Sequence, residues 1–444
     1  MRLTWILLLA APALVGQTLG PAPLQLSLKR AVEVAVAPEG SAKIQLADEA
    51  LKQAQARAAE ARAALLPDLE SSFNYSTQTV NLAAEGLSTA FQIPIPGFQF
   101  PTLVGPFSVA DARATAQQSV FDFSAIRRFQ ASKVGIAASK SDLEASSEQV
   151  AAQVARAYLG AVKGDTDVET AQANVTLSQA TLTQAENQKA AGTGTGIEIT
   201  RAKVQLANDQ QRLVAARNAR RAAHLQLLRA MGMRLDTDLE LTDKLQYVPV
   251  DAVTLETARA QAFKDRPDYQ AQQQKESNAR LSASATTLER LPTLAASANY
   301  GSIGPGLNNA IPTYAYGISV RVPVFDGGRR DARRVESDSE YRAEKVRTTD
   351  LKEQIELDVR LALDSLTSAA EEVQVAKDGL ELSESELTQA RRRYEGGVAN
   401  SLEVTDAQTR LERARDNQTD ALYNYNLARI DLAQAMGKVR SMVQ

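Results

Sequence analysis

The chain has 444 residues, a formal net charge of -3 and only 5% aromatic residues. A charge this close to neutral provides no broad basic field that would recruit nucleic acid, so no nucleic-acid partner is expected. The chain contains no cysteine, which excludes disulfides, thiolate catalysis and cysteine-ligated metals.

Residues 1–16 predict a signal peptide. Arg2 precedes an apolar run, 3–15, that ends in small residues around Gly16. A basic start, a short apolar stretch and a small-residue exit are typical of secretory signals, and the run is short for a membrane span. We therefore predict an exported protein; a membrane anchor or a buried first helix is the alternative.

The remaining chain contains the same order of segments twice. Val120-Phe121-Asp122 recurs as Val324-Phe325-Asp326, and Ala230-Met231-Gly232 recurs as Ala435-Met436-Gly437. Self-similarity at so long a period predicts a structural repeat. The predicted organisation is a first repeat over 17–232, a connector over 233–252, a second repeat over 253–437 and a short tail over 438–444.

In the first repeat, a helix should precede two strands. Residues 27–66 are rich in alanine and predict a helix that stops at Pro67, because proline cannot continue a helix. Apolar and polar residues then alternate over 69–76 and, more weakly, over 107–118. This period of two predicts two strands of about ten residues, joined by a loop over 78–106 that is rich in proline and glycine.

The second repeat shows the same pattern more clearly. Its two predicted strands flank a loop over 301–313, and the second strand has one strongly apolar face. That face contains Tyr314, Tyr316, Ile318, Val320 and Val322. A sheet with one apolar and one polar face fits either a membrane barrel or a soluble sheet packed on helices.

Each repeat is predicted to end in a long helical hairpin. After Asp326-Gly327-Gly328 no proline occurs before residue 396, which predicts a helix of about 67 residues, or roughly 100 Å. Its apolar residues recur every seven positions with alanine between them, a pattern that predicts a two-stranded antiparallel coiled coil with the return helix, 401–436. The two tips are predicted near 192–196 and 396–401.

These segments carry a resemblance to a known family. The specific motifs are Val324-Phe325-Asp326-Gly327-Gly328-Arg329-Arg330, Arg266-Pro267-Asp268, Tyr394-Glu395-Gly396-Gly397 and Leu402-Glu403-Val404-Thr405-Asp406-Ala407. Together with the duplication, they make the whole mature chain resemble the TolC-type outer membrane efflux proteins. The resemblance implies an α+β membrane protein whose long coiled-coil hairpins form a periplasmic α-barrel and whose four strands contribute to a trimeric, twelve-stranded outer-membrane β-barrel.

The resemblance also implies a function and partners. The expected function is the outer-membrane exit duct of a tripartite efflux or type I secretion system, extending into the periplasm. The expected partners are two further copies of the chain, a periplasmic adaptor protein, an inner-membrane transporter and outer-membrane lipid. No cofactor and no enzymatic activity are expected, and His224 should be packed or solvated. A periplasmic adaptor or a structural coiled-coil protein is the alternative.

Roles for residues at the tips follow from the same resemblance. Glu403 and Asp406 match acids that line the periplasmic aperture in the family, and Glu198 matches the corresponding acid of the first hairpin. Tyr394 matches a tyrosine that helps to latch the closed state, although its place in the heptad row equally predicts packing. Ala399 departs from relatives with a basic residue in the closing network.

Rings of these acids would favour cations and bind multivalent ones; alternatively, they are surface acids favoured at a helix start. The small, uncharged tips suit contact with an adaptor. The predicted adaptor-contacting residues are Gly192, Thr193, Gly194, Gly397, Val398, Ala399, Asn400 and Ser401.

Overall fold

A computed structural model describes residues 24–84, 101–250 and 253–443. The predicted signal peptide, 1–16, lies outside the described residues, as does the central part of the predicted loop, 78–106. The chain divides into two compact units. We call them the hairpin unit, described over 24–44, 147–250, 253–255 and 359–443, and the sheet unit, described over 45–84, 101–146 and 256–358.

Long helices dominate the described residues. In chain order the elements are β1 (Leu24–Leu26), α1 (Leu28–Val36), α2 (Ala42–Ala63), β2 (Asp68–Asn81), β3 (Leu103–Phe121), α3 (Phe123–Ala190), α4 (Gly196–Met231), β4 (Leu239–Leu241), α5 (Leu255–Asp265), α6 (Pro267–Leu288), β5 (Thr293–Gly304), β6 (Ile311–Arg321), α7 (Arg329–Glu395), α8 (Ser401–Ala435) and α9 (Val439–Val443). The predicted long helices are confirmed, since α3 has 68 residues and α7 has 67. None of the described helices combines the length and apolar character needed to span a bilayer.

The single helix predicted over 27–66 is wrong, because two helices occupy this range. Ser27 caps α1 by accepting a hydrogen bond from the backbone N–H of Arg30 at 3.3 Å. The helix ends at Val36, and Pro38 lies in the break before α2. Proline lacks the N–H that the next helical turn requires, so the alanine-rich composition does not carry the helix across it.

The sheet unit contains a four-stranded antiparallel sheet in the order β2-β3-β5-β6. Phe73 pairs with Ala112, Ala114 with Tyr300, and Tyr300 in turn with Tyr314. β2 and β6 are edge strands, so each presents a row of backbone groups without a neighbour among the described strands. Unpaired backbone rows of this kind are templates for further strands.

The sheet has one exposed apolar face and one polar face. Tyr314, Tyr316 and Ile318 on β6 are all exposed, Tyr316 to 82%. On the polar face, the Arg113 guanidinium bonds Asn299 Oδ1 at 3.0 Å and pairs with the Asp111 carboxylate at 3.2 Å. The alternation read from the sequence therefore corresponds to two chemically different faces.

The strands are longer than the predicted ten residues, and both predicted loops are too wide. β2 and β3 contain 14 and 19 residues, and their pairing continues past a bulge to Val80 and Val104. Part of the predicted loop 78–106 is thus strand. Glycine permits this close pairing, since a Cβ at Gly105 would lie 2.8 Å from the Gln78 carbonyl oxygen. Likewise, β5 runs to Gly304 and β6 starts at Ile311, so the loop predicted over 301–313 is shorter.

In the hairpin unit, the predicted heptad seam between α7 and α8 is buried. Ala369 and Val373 of α7 pack with Ala421, Tyr425 and Ala428 of α8. Alternating large and small residues let two helices approach closely. Polar contacts also join the two hairpins: Lys163 of α3 pairs with Asp420 of α8 at 3.1 Å.

Two segments outside the hairpins pack onto this unit. β1 pairs in parallel with β4, which brings the start of the described chain against the connector, 233–252. The tail predicted over 438–444 instead contains the short helix α9. Val439 is fully buried and donates its backbone N–H to Glu148 Oε2 at 2.9 Å. Burial of this apolar side chain holds the short helix against the unit.

Candidate functional site at the hairpin tips

The first tip is a five-residue turn between α3 and α4. Gly192 has a φ of 77°, and the backbone N–H groups of Thr193 and Gly194 both donate to the Gln188 carbonyl. Glu198 Oε2 accepts the backbone N–H of Thr195 at 2.7 Å. The acid predicted for the aperture therefore caps its own helix start, where a carboxylate also suits the helix dipole.

The second tip repeats this geometry. Gly397 has a φ of 71°, and Val398 donates its backbone N–H to the Arg393 carbonyl at 2.9 Å. Asn400 starts α8, because its Oδ1 accepts the backbone N–H groups of Leu402 and Glu403. The glycine and the asparagine thus end one helix and begin the next within a few residues.

Substitution of Gly397 is expected to destabilise the second tip. Gly397→Ala forces a side chain into the left-handed region and should cost about 1 kcal/mol, whereas no atom blocks the added Cβ sterically. The matched control is Gly379→Ala, an open position inside α7, where alanine should add up to about 1 kcal/mol of helix stability. Opposite shifts in the thermal midpoint, followed by circular dichroism, are expected; equal shifts would contradict the strained-turn assignment.

The two acids after the second tip have different surroundings. Glu403 Oε1 lies 2.9 Å from Arg393 Nε, and both side chains are exposed. Asp406 is exposed and forms no ion pair with any described residue. Arg393 belongs to a run of three arginines, 391–393, at the end of α7. The ion pair with Glu403 therefore places a cation at the second tip, where Ala399 provides none.

Tyr394 connects the two hairpins within one chain. Its ring is 9% exposed and packs with Leu387, Val404 and Leu411, while Leu177 of α3 contacts the same cluster. Its hydroxyl donates a hydrogen bond to Gln188 Oε1, also on α3. Burial and the nearby Glu198 carboxylate raise the pKa of Tyr394. The side chain therefore packs in the heptad seam and also bonds the opposite hairpin.

A buried polar cluster lies further from the tips, between the two hairpins. Asp209 of α4 is fully buried and Glu412 of α8 is 3% exposed. Gln205 Nε2 donates to both carboxylates, at 3.1 Å and 3.3 Å, and Arg212 pairs with Glu412. Burial and the Asp209 charge raise the pKa of Glu412. The sequence analysis missed this cluster. Its one local signal is Asp209, which lies three residues after Leu206 and four before Leu213, where an apolar residue would continue the heptad row.

Additional polar bonds join the hairpins at other levels. Gln408 Nε2 of α8 donates to Thr181 Oγ1 of α3 at 2.8 Å, and Arg415 Nη1 bonds Asn174 Oδ1 at 3.3 Å. No metal-ligating group of acids and histidines occurs in residues 24–84, 101–250 and 253–443. The one histidine, His224, contacts Asp165 at 3.1 Å and is partly buried.

Comparison with solved structures identifies the class of fold. The CmeC outer membrane channel of Campylobacter jejuni matches with a TM-score of 0.81 over 92% of this chain and 85% of that chain, at 16% identity. The outer membrane protein VceC of Vibrio cholerae matches with a TM-score of 0.78 over 93% of this chain and 96% of that chain, at 20% identity. At these identities the likeness shows the fold, which is that of TolC-type channels.

Sequence comparison identifies the family. The sequence model described as Outer membrane efflux protein matches residues 36–233 and 258–438, and the chain belongs to this family. The alkaline protease secretion protein AprF of Pseudomonas aeruginosa is 25% identical over 323 residues, which cover 70% of this chain and 66% of AprF. The pyoverdine export outer membrane protein OpmQ of Pseudomonas putida is 24% identical over 395 residues, which cover 87% of this chain and 81% of OpmQ. The chain thus spans just under two thirds of the length of AprF.

Proposed function

We propose that three copies of this chain form an exit duct in the outer membrane. The duct passively conducts solutes that a periplasmic adaptor and an inner-membrane transporter deliver. The observation that carries the proposal is the open four-stranded sheet: both edges lack partners among the described strands, and one face exposes tyrosine and aliphatic side chains. A sheet in lipid must close on itself, and three such sheets supply twelve strands.

The long hairpins supply the periplasmic part of the duct. An individual helix of 67 or 68 residues is about 100 Å long at 1.5 Å per residue, which is far more than a compact domain requires. The small, uncharged tips are proposed to receive the adaptor, because they allow close end-on approach. A periplasmic adaptor, the alternative from the sequence, leaves the exposed apolar face of the sheet unexplained.

The relatives do not restrict the cargo to one chemical class. Their names refer to an alkaline protease, to pyoverdine and, for TtgF of Pseudomonas putida, to toluene. A duct that passes cargo without binding it tightly needs a wide polar lumen rather than a specific pocket. We therefore propose that the pump and the adaptor select the cargo of this chain.

Planar-bilayer recording of the purified protein tests the duct. We expect a trimer that inserts and gives discrete, cation-selective conductance steps, because acids at the tips would line the entrance. A soluble monomer without conductance would contradict the proposal. The apolar face of β6 offers a separate check, since Tyr316→Asp should reduce insertion by placing a charge in lipid.

The acids after the second tip are proposed to line the periplasmic aperture. Glu403→Ala combined with Asp406→Ala should weaken block by a trivalent cation from the periplasmic side by roughly tenfold, since rings of charge bind multivalent ions. The matched control is Glu381→Ala with Glu384→Ala, which removes two exposed acids of α7 further from the tip. If the trivalent cation blocked the wild type and the Glu403/Asp406 variant equally, these acids would not line the aperture.

A further inference from the structure

A groove runs along the second hairpin between α7 and α8. Its volume is about 880 Å³, which lies in the range of small-molecule sites. Ala414 and Ala421 are buried beneath it, and Val375 lies in it with 71% of its surface exposed. Gly379 leaves further space, since an added Cβ there would meet no atom within 4 Å. The small residues of the seam therefore leave an open groove with an apolar floor.

The α8 side of the groove continues the face that carries the two acids after the second tip. Glu403 and Asp406 are three residues apart. Further steps of four and three residues lead from Asp406 to Arg410 and Arg413, which both line the groove. Steps of three and four residues follow one face of a coiled-coil helix. Because the two acids are proposed to line the periplasmic aperture, the groove borders the lumen of the duct, and this placement rests on the proposed function.

The register of the hairpin sets the distance between the two ends of the groove. Arg410 of α8 pairs with Glu386 of α7, so these two residues are level with each other. Counted away from the tip, Arg413 lies three residues beyond this level and Glu372 lies fourteen residues beyond it. The difference of eleven residues corresponds to about 16 Å along the hairpin. Arg413 thus marks the tip end of the groove and Glu372 the far end.

The two ends carry charges of opposite sign. Arg413 is exposed and forms no ion pair with a described residue. At the far end, Glu371 and Glu372 are also exposed, and neither forms an ion pair within the described ranges. Asp420 lies between the ends but is paired with Lys163 at 3.1 Å. Within the described part of the chain, the groove thus has an unpaired cation toward the tip and unpaired acids at its far end.

These features define the chemistry of a complementary solute. Such a solute has an anionic group for the tip end, a cationic group for the far end and a slender, weakly apolar middle. Because the arginine and glutamate side chains extend into the groove, the two charged groups of the solute need to be less than about 16 Å apart. A short peptide fits, since four extended residues span about 13 Å and its free termini carry opposite charges.

We propose that this groove is a contact site for zwitterionic solutes, in particular short peptides with free termini, on the lumen wall of the duct. The carboxylate of the solute pairs with Arg413, and its ammonium group lies near Glu371 and Glu372. An arginine guanidinium recognises a carboxylate through two parallel hydrogen bonds. All these side chains are exposed to water, so binding is weak. Weak binding lets a solute enter a conducting pathway and leave it again.

The charge pattern also discriminates between classes of solute. A molecule with two anionic groups would bring one of them against Glu371 and Glu372, and a molecule with two cationic groups would bring one against Arg413. Juxtaposed like charges reject such pairings. The groove therefore favours zwitterions over solutes that carry one sign of charge, and it orients a bound peptide with its carboxylate toward the tip.

A tryptophan reporter tests the site in the full chain. Trp5 is the single natural tryptophan and lies in the predicted signal peptide, so Val375→Trp gives the mature chain one indole, placed in the groove. Tetraalanine with free termini should change its fluorescence saturably, with half-saturation in the millimolar range. N-acetyl-tetraalanine amide has neither terminal charge and should produce no saturable change. Equal responses to the two peptides would overturn the proposal.

Neutral variants in the Val375→Trp background identify the charges that bind. Arg413→Gln should raise the dissociation constant of tetraalanine roughly fivefold, because it removes the charge-assisted bonds to the carboxylate. Glu371→Gln with Glu372→Gln should have a similar effect on the ammonium end. Lys377→Gln is the matched control, since this exposed cation of α7 lies two residues after Val375, on another face of the helix, and it should leave the constant unchanged. An equal loss of affinity in the Lys377 and Arg413 variants would overturn the assignment of the site.

Bilayer recording distinguishes the site from the duct. Tetraalanine added on the periplasmic side should lower the conductance of the wild-type chain saturably and that of Arg413→Gln less. If the wild-type chain conducts as a trimer but the reporter shows no saturable binding, the site is wrong and the duct stands. If the reporter binds tetraalanine but the chain neither conducts nor forms trimers, the proposed function fails, and with it the position of the groove in a lumen.

Discussion

Replacing Arg212 with methionine is expected to lower the thermal midpoint of the protein by about 3 °C. The substitution leaves Asp209 and Glu412 buried side by side without their cation, and breaking a buried charge pair in this way costs about 3 kcal/mol. Arg212 pairs with Glu412 and lies 3.9 Å from Asp209 Oδ1. Circular dichroism at a helix wavelength measures the midpoint in detergent.

A rescue variant and a control variant distinguish the loss of the Arg212 charge from the loss of its packing. Arg212→Met combined with Glu412→Gln should recover most of the lost stability, because only one buried carboxylate then remains and Gln205 still bonds it. Arg217→Met is the matched control, since this exposed arginine on the same helix bonds only the neutral Gln172. A loss as large at Arg217 as at Arg212, or no recovery with Glu412→Gln, would show that the buried charges do not matter.

The same cluster predicts how stability depends on pH. Burial and Asp209 raise the pKa of Glu412, and burial and Asp167 raise the pKa of Asp416. A carboxyl whose pKa is higher in the folded state contributes stability below its unfolded value, and this contribution is lost as the pH rises through the folded pKa. The midpoint should therefore fall from mildly acidic toward neutral pH, and Glu412→Gln should flatten that fall.

The cluster joins the two hairpins, and it also joins α4 to α3, because Asp209 accepts a hydrogen bond from the Ser178 hydroxyl. Glu412 belongs to α8, whereas Asp209 and Arg212 belong to α4. Separating the hairpins at this level would leave two buried carboxylates without their cation, so the cluster opposes such a movement.

Much of the fold could be predicted from the sequence, because the strongest signals were periodic. The heptad rows through Val373 and Leu387, and the alternation from Tyr314 to Val322, each correspond to an observed buried seam or exposed face. The boundaries were less predictable. Strand pairing continued through Gly105 and Gly304, because pairing depends on backbone contact and glycine permits it, whereas composition alone indicated loops.

The candidate site was only partly predictable for a similar reason. The positions of Glu403, Asp406 and Tyr394 relative to the tip followed from the turn at Gly397 and the heptad count. Their partners did not: Gln188 lies on the other hairpin, and Arg393 faces Glu403 across the turn. The bond between Tyr394 and Gln188 joins residues 206 positions apart, so single-sequence reasoning cannot detect it.

Removing the hydroxyl of Tyr394 is expected to open the duct. Tyr394→Phe keeps the ring in the cluster with Leu387 and Val404 but loses the hydrogen bond to Gln188. A hydrogen bond of this kind is worth about 1 kcal/mol, so three copies together shift the balance between closed and open states by roughly a hundredfold. Single-channel recording should show a higher mean conductance for Tyr394→Phe than for the wild-type chain, because the lost hydrogen bond joins the two hairpins.

The variant Arg392→Gln is the control that helps to distinguish the hydrogen bond of the Tyr394 hydroxyl from the packing of its ring. Arg392 is exposed in the same turn of α7 and forms no ion pair with the described residues, so its loss should leave conductance unchanged. If Tyr394→Phe also leaves conductance unchanged while the thermal midpoint is preserved, the ring serves only as packing. If conductance rises without a loss of stability, the hydroxyl holds the two hairpins together at the tip, because phenylalanine removes that bond and nothing else.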